Sequence, residues 1–142
     1  MITRFMNIGI FCFSRTGNTK RFAQAIADTT KAPLYDMASA QPSETQQFDL
    51  IFIGTPVEGA SPTKEALAFV QAMPNVSGKK AILFVTYRLF GNKRTMKTLE
   101  KQLTEKGYKT VLMVSKKGMK PENPDVDFSE ALAEIKAALE KI

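Results

Sequence analysis

Residues 6–19, Met6-Asn7-Ile8-Gly9-Ile10-Phe11-Cys12-Phe13-Ser14-Arg15-Thr16-Gly17-Asn18-Thr19, carry an apolar run straight into a short hydroxyl-rich loop. Lys20-Arg21-Phe22-Ala23-Gln24-Ala25-Ile26-Ala27 follows with helical spacing. The three pieces read as a strand, a tight turn and a helix start, which is the layout of an anion cradle. A helix N-terminus leaves its first backbone N–H groups without intrahelical partners and carries about +0.5 of a charge, so a dianion placed there gains hydrogen bonds and Coulomb energy together. Ser14, Thr16 and Thr19 add hydroxyls, Asn18 adds an amide, and Gly17 removes a Cβ that would hold a ligand off the backbone. Arg15 is the one charged side chain of the loop, so binding here rests on directed hydrogen bonds more than on a salt bridge. The same residue types suit any strand-to-helix turn and its cap. The six-residue motif alone therefore leaves both readings open.

Composition narrows the choice. The chain has 142 residues, 44% hydrophobic and 24% charged, which fits one globular domain over residues 1–142 with a sizeable core. No apolar stretch approaches the ~20 residues of a membrane span, and no leader with a charged head and small-residue cleavage site reads at the N-terminus. A cytoplasmic protein, monomeric or weakly dimeric, is the expectation. One cysteine, Cys12, and no histidine rule out a disulfide within the chain and ordinary Cys/His metal sites. Cys12 lies inside the first apolar run and is expected to be a buried, unreactive thiol.

Along the chain, short apolar runs alternate with longer helical patterns. Strands are expected at Asn7–Phe13, Ala32–Met37, Leu50–Gly54, Ala81–Tyr87 and Lys109–Ser115. Leu50-Ile51-Phe52-Ile53 and Ala81-Ile82-Leu83-Phe84-Val85 are apolar at every position, as suits parallel strands covered on both faces. Helices are expected at about 17–30, 62–73, 92–106 and 127–141, with Pro62 opening the second, Asp127 or Ser129 capping the last, and Gly107 stopping the third. The stretch from Ala38 to Gln47 reads as a loop with a short or distorted helix, and Lys116 to Asp127 as a surface loop. Repeated βαβ alternation of this kind predicts an α/β sandwich built on a parallel sheet.

In an open parallel sheet, ligands bind beyond the carboxyl ends of the strands where the winding reverses. Three loops leave those ends: Ser14–Thr19, Thr55–Ser61 and Tyr87–Asn92. The first can hold a phosphate. The other two can clamp a flat ring, with Val57 as an apolar face, Tyr87 and Phe90 as aromatic ones, and Gly59 free to adopt an unusual backbone orientation. Ordinary packing at the edge of the core is the alternative for Tyr87 and Phe90. Glu58 has no acid or base beside it in sequence, and an exposed loop charge is the expectation.

With Ser14-Arg15-Thr16-Gly17-Asn18-Thr19 after the first strand, Gly54-Thr55-Pro56-Val57-Glu58-Gly59 at the third and Gly91-Asn92 after the fourth, the chain resembles the flavodoxin family. The resemblance covers nearly the whole length. It implies a three-layer sandwich around a five-stranded parallel sheet of order 2-1-3-4-5, with helices on both faces, and one non-covalent FMN. The phosphate would be held at Ser14, Thr16, Gly17, Asn18 and Thr19, with Arg15 of the same loop among the cofactor-binding residues. The isoalloxazine would sit between Thr55, Pro56, Val57, Glu58 and Gly59 on one side and Tyr87, Arg88, Phe90, Gly91 and Asn92 on the other, with the Gly59 carbonyl facing flavin N5 when that atom is protonated.

Charge sets the chain apart from the usual acidic electron carriers of that family. The net formal charge is +6, there is no tryptophan, and the second loop has no aromatic residue. Residues 79–120 hold twelve Lys and Arg against Glu100 and Glu105, so the positive charge is concentrated. Lys93, Lys97 and Lys101 recur at helical spacing, and Arg88 lies inside the third loop, where it would ease the final reduction of a bound flavin. A positive face implies an acidic redox partner such as a ferredoxin or a reductase. The absence of interleaved aromatics and of any nucleic-acid motif argues against DNA or RNA. Three functions follow: an FMN electron carrier between redox proteins, an FMN-dependent NAD(P)H or quinone reductase, and a related module that has lost flavin or binds another phosphorylated ligand. The short second loop favours the carrier.

Overall fold

The computed structural model describes residues 6–118 and 126–142. Element order is β1 (Ile8–Cys12), α1 (Asn18–Thr30), β2 (Leu34–Asp36), a 3₁₀ turn (Pro42–Gln47), β3 (Leu50–Glu58), β4 (Ser61–Pro62), α2 (Lys64–Gln71), β5 (Lys79–Tyr87), α3 (Asn92–Glu105), β6 (Tyr108–Lys117) and α4 (Ser129–Glu140). The parallel strands lie in the order β2-β1-β3-β5-β6. Counting those five alone, this is the expected 2-1-3-4-5.

The apolar runs work as two-faced strands. Ile51, Ile53, Leu83 and Val85 point to one side, where Phe69, Val70, Met96, Leu99 and Leu103 from α2 and α3 cover them. Leu50, Phe52, Ile82 and Phe84 point to the other, under Phe22 and Ile26 of α1 and Ile135 of α4. Successive side chains on a strand alternate faces, so a continuous apolar run is what two cores demand. Pairing runs Ile8↔Leu50 to Cys12↔Gly54 between β1 and β3, and Leu50↔Lys80 to Pro56↔Thr86 between β3 and β5. The loops after β1, β3 and β5 therefore leave from one end of the sheet, side by side.

Four expectations need correcting. β3 runs on to Glu58, past Gly54, because Val57 and Glu58 pair antiparallel with Pro62 and Ser61 in a small hairpin. Pro62 consequently belongs to β4 and does not open α2. Thr63 caps that helix instead, its Oγ1 accepting from the Ala66 N–H at 3.1 Å. At α4 the cap position is Phe128, although Asp127 serves the same end, its Oδ1 accepting from the Ser129 N–H at 2.9 Å. Lys116 and Lys117, expected in a surface loop, close β6, and residues 119–125 of that stretch lie outside the described residues.

Cys12 is 4% exposed, and burial, reinforced by Asp36, pushes its thiol up to about 12. Since a thiol in the unfolded chain ionises near 8.5, the native protein at pH 8 is expected to resist a thiol reagent and to give one equivalent in denaturant. The sign also fixes the pH effect: ionisation open only to the unfolded chain removes stability as pH rises above about 9. Rapid labelling of the native protein at pH 8 would refute the burial argument.

Candidate functional site

Loop one is organised by Ser14. Its Oγ accepts from the Gly17 N–H at 3.1 Å and the Lys20 N–H at 3.2 Å, bridging the turn to the first turn of α1. Both lone pairs are thus engaged and the hydroxyl proton is left to donate outward. Gly17 occupies the cap position with φ +97°, and a Cβ built on it meets nothing within 4 Å, so open space faces the helix start. Thr16 is exposed. Thr19 is turned inward instead: it is 1% exposed, and its hydroxyl shares a 2.9 Å hydrogen bond with Thr86 on β5. Asn18 Oδ1 accepts from Arg21 Nη2 at 2.5 Å.

Arg15 leaves the anion cradle for loop two. Its Nε donates to Glu58 Oε2 at 2.5 Å, its Nη2 donates to Glu58 Oε1 at 3.1 Å and to Glu65 Oε1 at 2.9 Å, and its guanidinium lies 5.1 Å from the Phe13 ring centre. The paired carboxylates hold the guanidinium above its ordinary range, and the Arg15 hydrogen bond holds Glu65 below the usual carboxylate range. Glu58 is exposed as expected but not solitary. A fork-on-carboxylate contact of this kind fixes orientation as well as distance.

Loop two is the hairpin itself. Gly59 (φ +58°) and Ala60 (φ +60°) are consecutive left-handed residues, as a two-residue type I′ turn requires. Gly91, at the cap of α3 with φ +96°, packs on that turn, where a Cβ would lie 2.9 Å from Ala60 Cα and 3.0 Å from Val57 Cγ1. Only glycine satisfies both conditions, and it locks loop three to the hairpin. Inside the hairpin's root, Thr55 Oγ1 accepts from the Thr63 N–H at 3.2 Å.

The three loops converge on a cleft of about 210 Å³ lined by Arg15, Thr16, Asn18, Pro56, Val57, Glu58, Thr86, Tyr87 and Arg88. A larger hollow of about 520 Å³ lies on the β2 side of loop one, touching Ser14, Gly17, Lys20 and Asp36 but neither of the other loops. The smaller cleft is the candidate site, because residues from all three strand ends line it. Gly59, Gly91 and Asn92 lie around it in the turn and at the start of α3, where Asn92 Nδ2 donates to Ser115 Oγ at 3.2 Å. Phe90 is not among the lining residues and is 74% exposed. Sequence reasoning missed Thr86, Ala60 and Glu65. Thr86 had a signal in the hydroxyl that ends an otherwise apolar run; the other two had none.

An α/β sheet with a hydroxyl-rich loop at one helix start and two further loops beside it has the layout in which open α/β sheets bind ligands, at a topological switch point. A family model described as a flavodoxin domain matches residues 10–123, and the chain belongs to the flavodoxin family, whose members bind FMN. Its fold is similar to that of Flavodoxin 2 from Bacillus cereus, with 20% identity, 95% of this chain and 98% of that chain covered, and TM-score 0.78. Similar too are the flavodoxin of Streptococcus pneumoniae TIGR4 (15% identity, 94% of each chain, TM-score 0.76) and the two-electron reduced flavodoxin of Megasphaera elsdenii (21%, 95% and 99%, 0.74). No curated protein sequence matches the chain. No helix among the described residues is long and apolar enough to cross a membrane, and no cluster among them has the ligands for a metal ion.

The residues present fit FMN. Neutral hydroxyl and amide donors surround open space at the α1 N-terminus, as a phosphate needs, and Val57 and Tyr87 give the cleft apolar walls.

Proposed function

We propose that this protein binds one FMN in the three-loop cleft and carries electrons between redox proteins of the cytoplasm. The observation that carries the reading is the convergence of the loops after β1, β3 and β5 on one cleft, with the α1 N-terminus at its edge. Ser14, Thr16 and Asn18, with the backbone N–H groups of the turn, would hold the phosphate. Thr19 supports the loop through Thr86. Val57 and Tyr87 would contact the ring, Pro56 shapes the strand end, and the Gly59 carbonyl would accept a hydrogen bond from flavin N5 when that atom carries a proton. FMN, when bound, supplies the electron chemistry, so no substrate-side catalytic residue is required.

The hairpin supports a carrier over a stand-alone reductase. Its two-residue turn is paired on both sides and pinned by Gly91, which leaves no length for a lid over a second substrate. The excess of cations after residue 79 supports an acidic redox partner.

Purified protein titrated with FMN is expected to quench flavin fluorescence stoichiometrically and to oxidise NAD(P)H only when a separate reductase is added. A protein that ignores FMN would overturn the reading, and steady NAD(P)H oxidation by the protein alone would move it to the reductases.

A further inference from the structure

Loop three displays apolar surface that the core does not use. Leu89 and Phe90 are 73% and 74% exposed, beside an otherwise well-buried sheet. Slack in the chain does not explain them, since the loop is held at both ends. The Tyr87 carbonyl accepts from the Gly118 N–H at 2.8 Å, and Gly91 is seated on Ala60 and Val57.

The surroundings of the pair are cationic. Arg88 precedes it, Lys93 and Arg94 follow in the first turn of α3, and Lys117 stands opposite Tyr87 in the β5–β6 register. All four are exposed, and none forms a salt bridge among the described residues. Lys116 is nearer to compensation, with Asp127 within Coulomb range. Of the nearby acids, Glu58 is taken by Arg15, while Glu100 lies nearly two turns further along α3. Lys93 and Arg94 also sit at the end of a helix where the dipole disfavours cations. Helices α2 and α4 carry Glu65 and Glu130 in the equivalent turn, and α3 has no acid there. Exposed leucine and phenylalanine together with cations on a helix N-terminus both oppose the stability of the isolated chain. Both are satisfied by one kind of neighbour.

We propose that Leu89 and Phe90 form the apolar centre of a docking face, ringed by Arg88, Lys93, Arg94 and Lys117, for an acidic electron-transfer protein with an apolar patch inside a ring of carboxylates. The proposal rests on the electron-carrier reading and adds the contact residues. Arg88 and Tyr87 belong to both the ring and the cleft wall, so a partner seated here lies against the mouth of the flavin site. A second copy of this chain would bring like charges face to face, and an anionic membrane is the competing occupant.

The test measures binding of an acidic two-cluster ferredoxin to the purified full chain by calorimetry, at about 20 mM and about 300 mM salt. Wild type is expected to bind at low salt and to weaken at least tenfold at high salt. Leu89→Ser should weaken binding about tenfold at either salt, and K93Q/R94Q should flatten the salt dependence. Ferredoxin that does not bind, or that binds L89S as it binds wild type, overturns the proposal. So does retention of wild type but not L89S on vesicles containing phosphatidylserine, which would assign the face to a membrane. FMN quenching is followed in the same samples. Loss of ferredoxin binding with FMN uptake intact removes the docking face alone, whereas failure of FMN uptake with ferredoxin binding intact removes the carrier reading alone.

Discussion

Ser14→Ala is expected to weaken FMN binding about tenfold to a hundredfold while leaving the protein folded. Hydrogen bonds to a charged group are worth roughly 1.5–3 kcal/mol, and each 1.4 kcal/mol is about tenfold in affinity. The hydroxyl serves twice, receiving the Gly17 and Lys20 N–H groups and keeping its own proton for an anion. Its loss as a cap costs about 1 kcal/mol of stability, visible as a small fall in the urea midpoint. Fluorescence titration separates the two effects, because the affinity loss exceeds anything the midpoint shift accounts for. Unchanged affinity would move the phosphate away from Ser14, and with it from the larger hollow that Ser14 lines.

Gly107→Ala is expected to have the largest effect on stability, about 3–5 kcal/mol. Gly107 follows α3 with φ +100°, which costs an L-residue about 1–2 kcal/mol. A Cβ there would also lie 1.8 Å from the Val76 carbonyl oxygen and 2.6 Å from its carbon. That backbone has nowhere to go, since the Val76 N–H donates to the Lys106 carbonyl at 2.8 Å. Urea denaturation should show a midpoint lowered by about 1 M or more. Gly78→Ala is the control: its φ is +71° but nothing lies within 4 Å, so only the backbone cost of about 1–2 kcal/mol applies. Equal losses in the two variants would refute the clash.

The frame of the molecule was legible because its causes are local or periodic. Leu50-Ile51-Phe52-Ile53 must be covered on both faces, and a strand end running into Ser14–Thr19 must turn into a helix, so a two-sided parallel sheet and the cradle's position follow, while the strand order came with the family resemblance. The hairpin was not legible. Ala60 takes a left-handed conformation that alanine seldom adopts, and Pro62 suits a helix start as well as an edge strand. Arg15 pairs with Glu58 and Glu65 across 43 and 50 residues of sequence, a distance at which no spacing rule operates. Thr19 and Phe90 reversed roles in the same way. The Thr19 hydroxyl, in the first turn of α1, turns to Thr86 on β5, a contact no local spacing shows, and the Phe90 ring faces solvent because an irregular loop has no period to assign its side chains to a face.

Arg15 has a kinetic consequence as well. β1 and β3 are already neighbours through Cys12↔Gly54, so the ionic contact between the loops beyond them closes a small circuit of chain at the lip of the cleft. Contacts this exposed are individually weak, with side chains 45% and 42% accessible, and the circuit is a latch that opens readily. Opening it separates opposite charges, a step that dissolved salt hastens. Encounter with an acidic partner is slowed by the same salt. On the electron-carrier reading proposed above, opening of this latch and encounter with the partner respond to ionic strength in opposite directions.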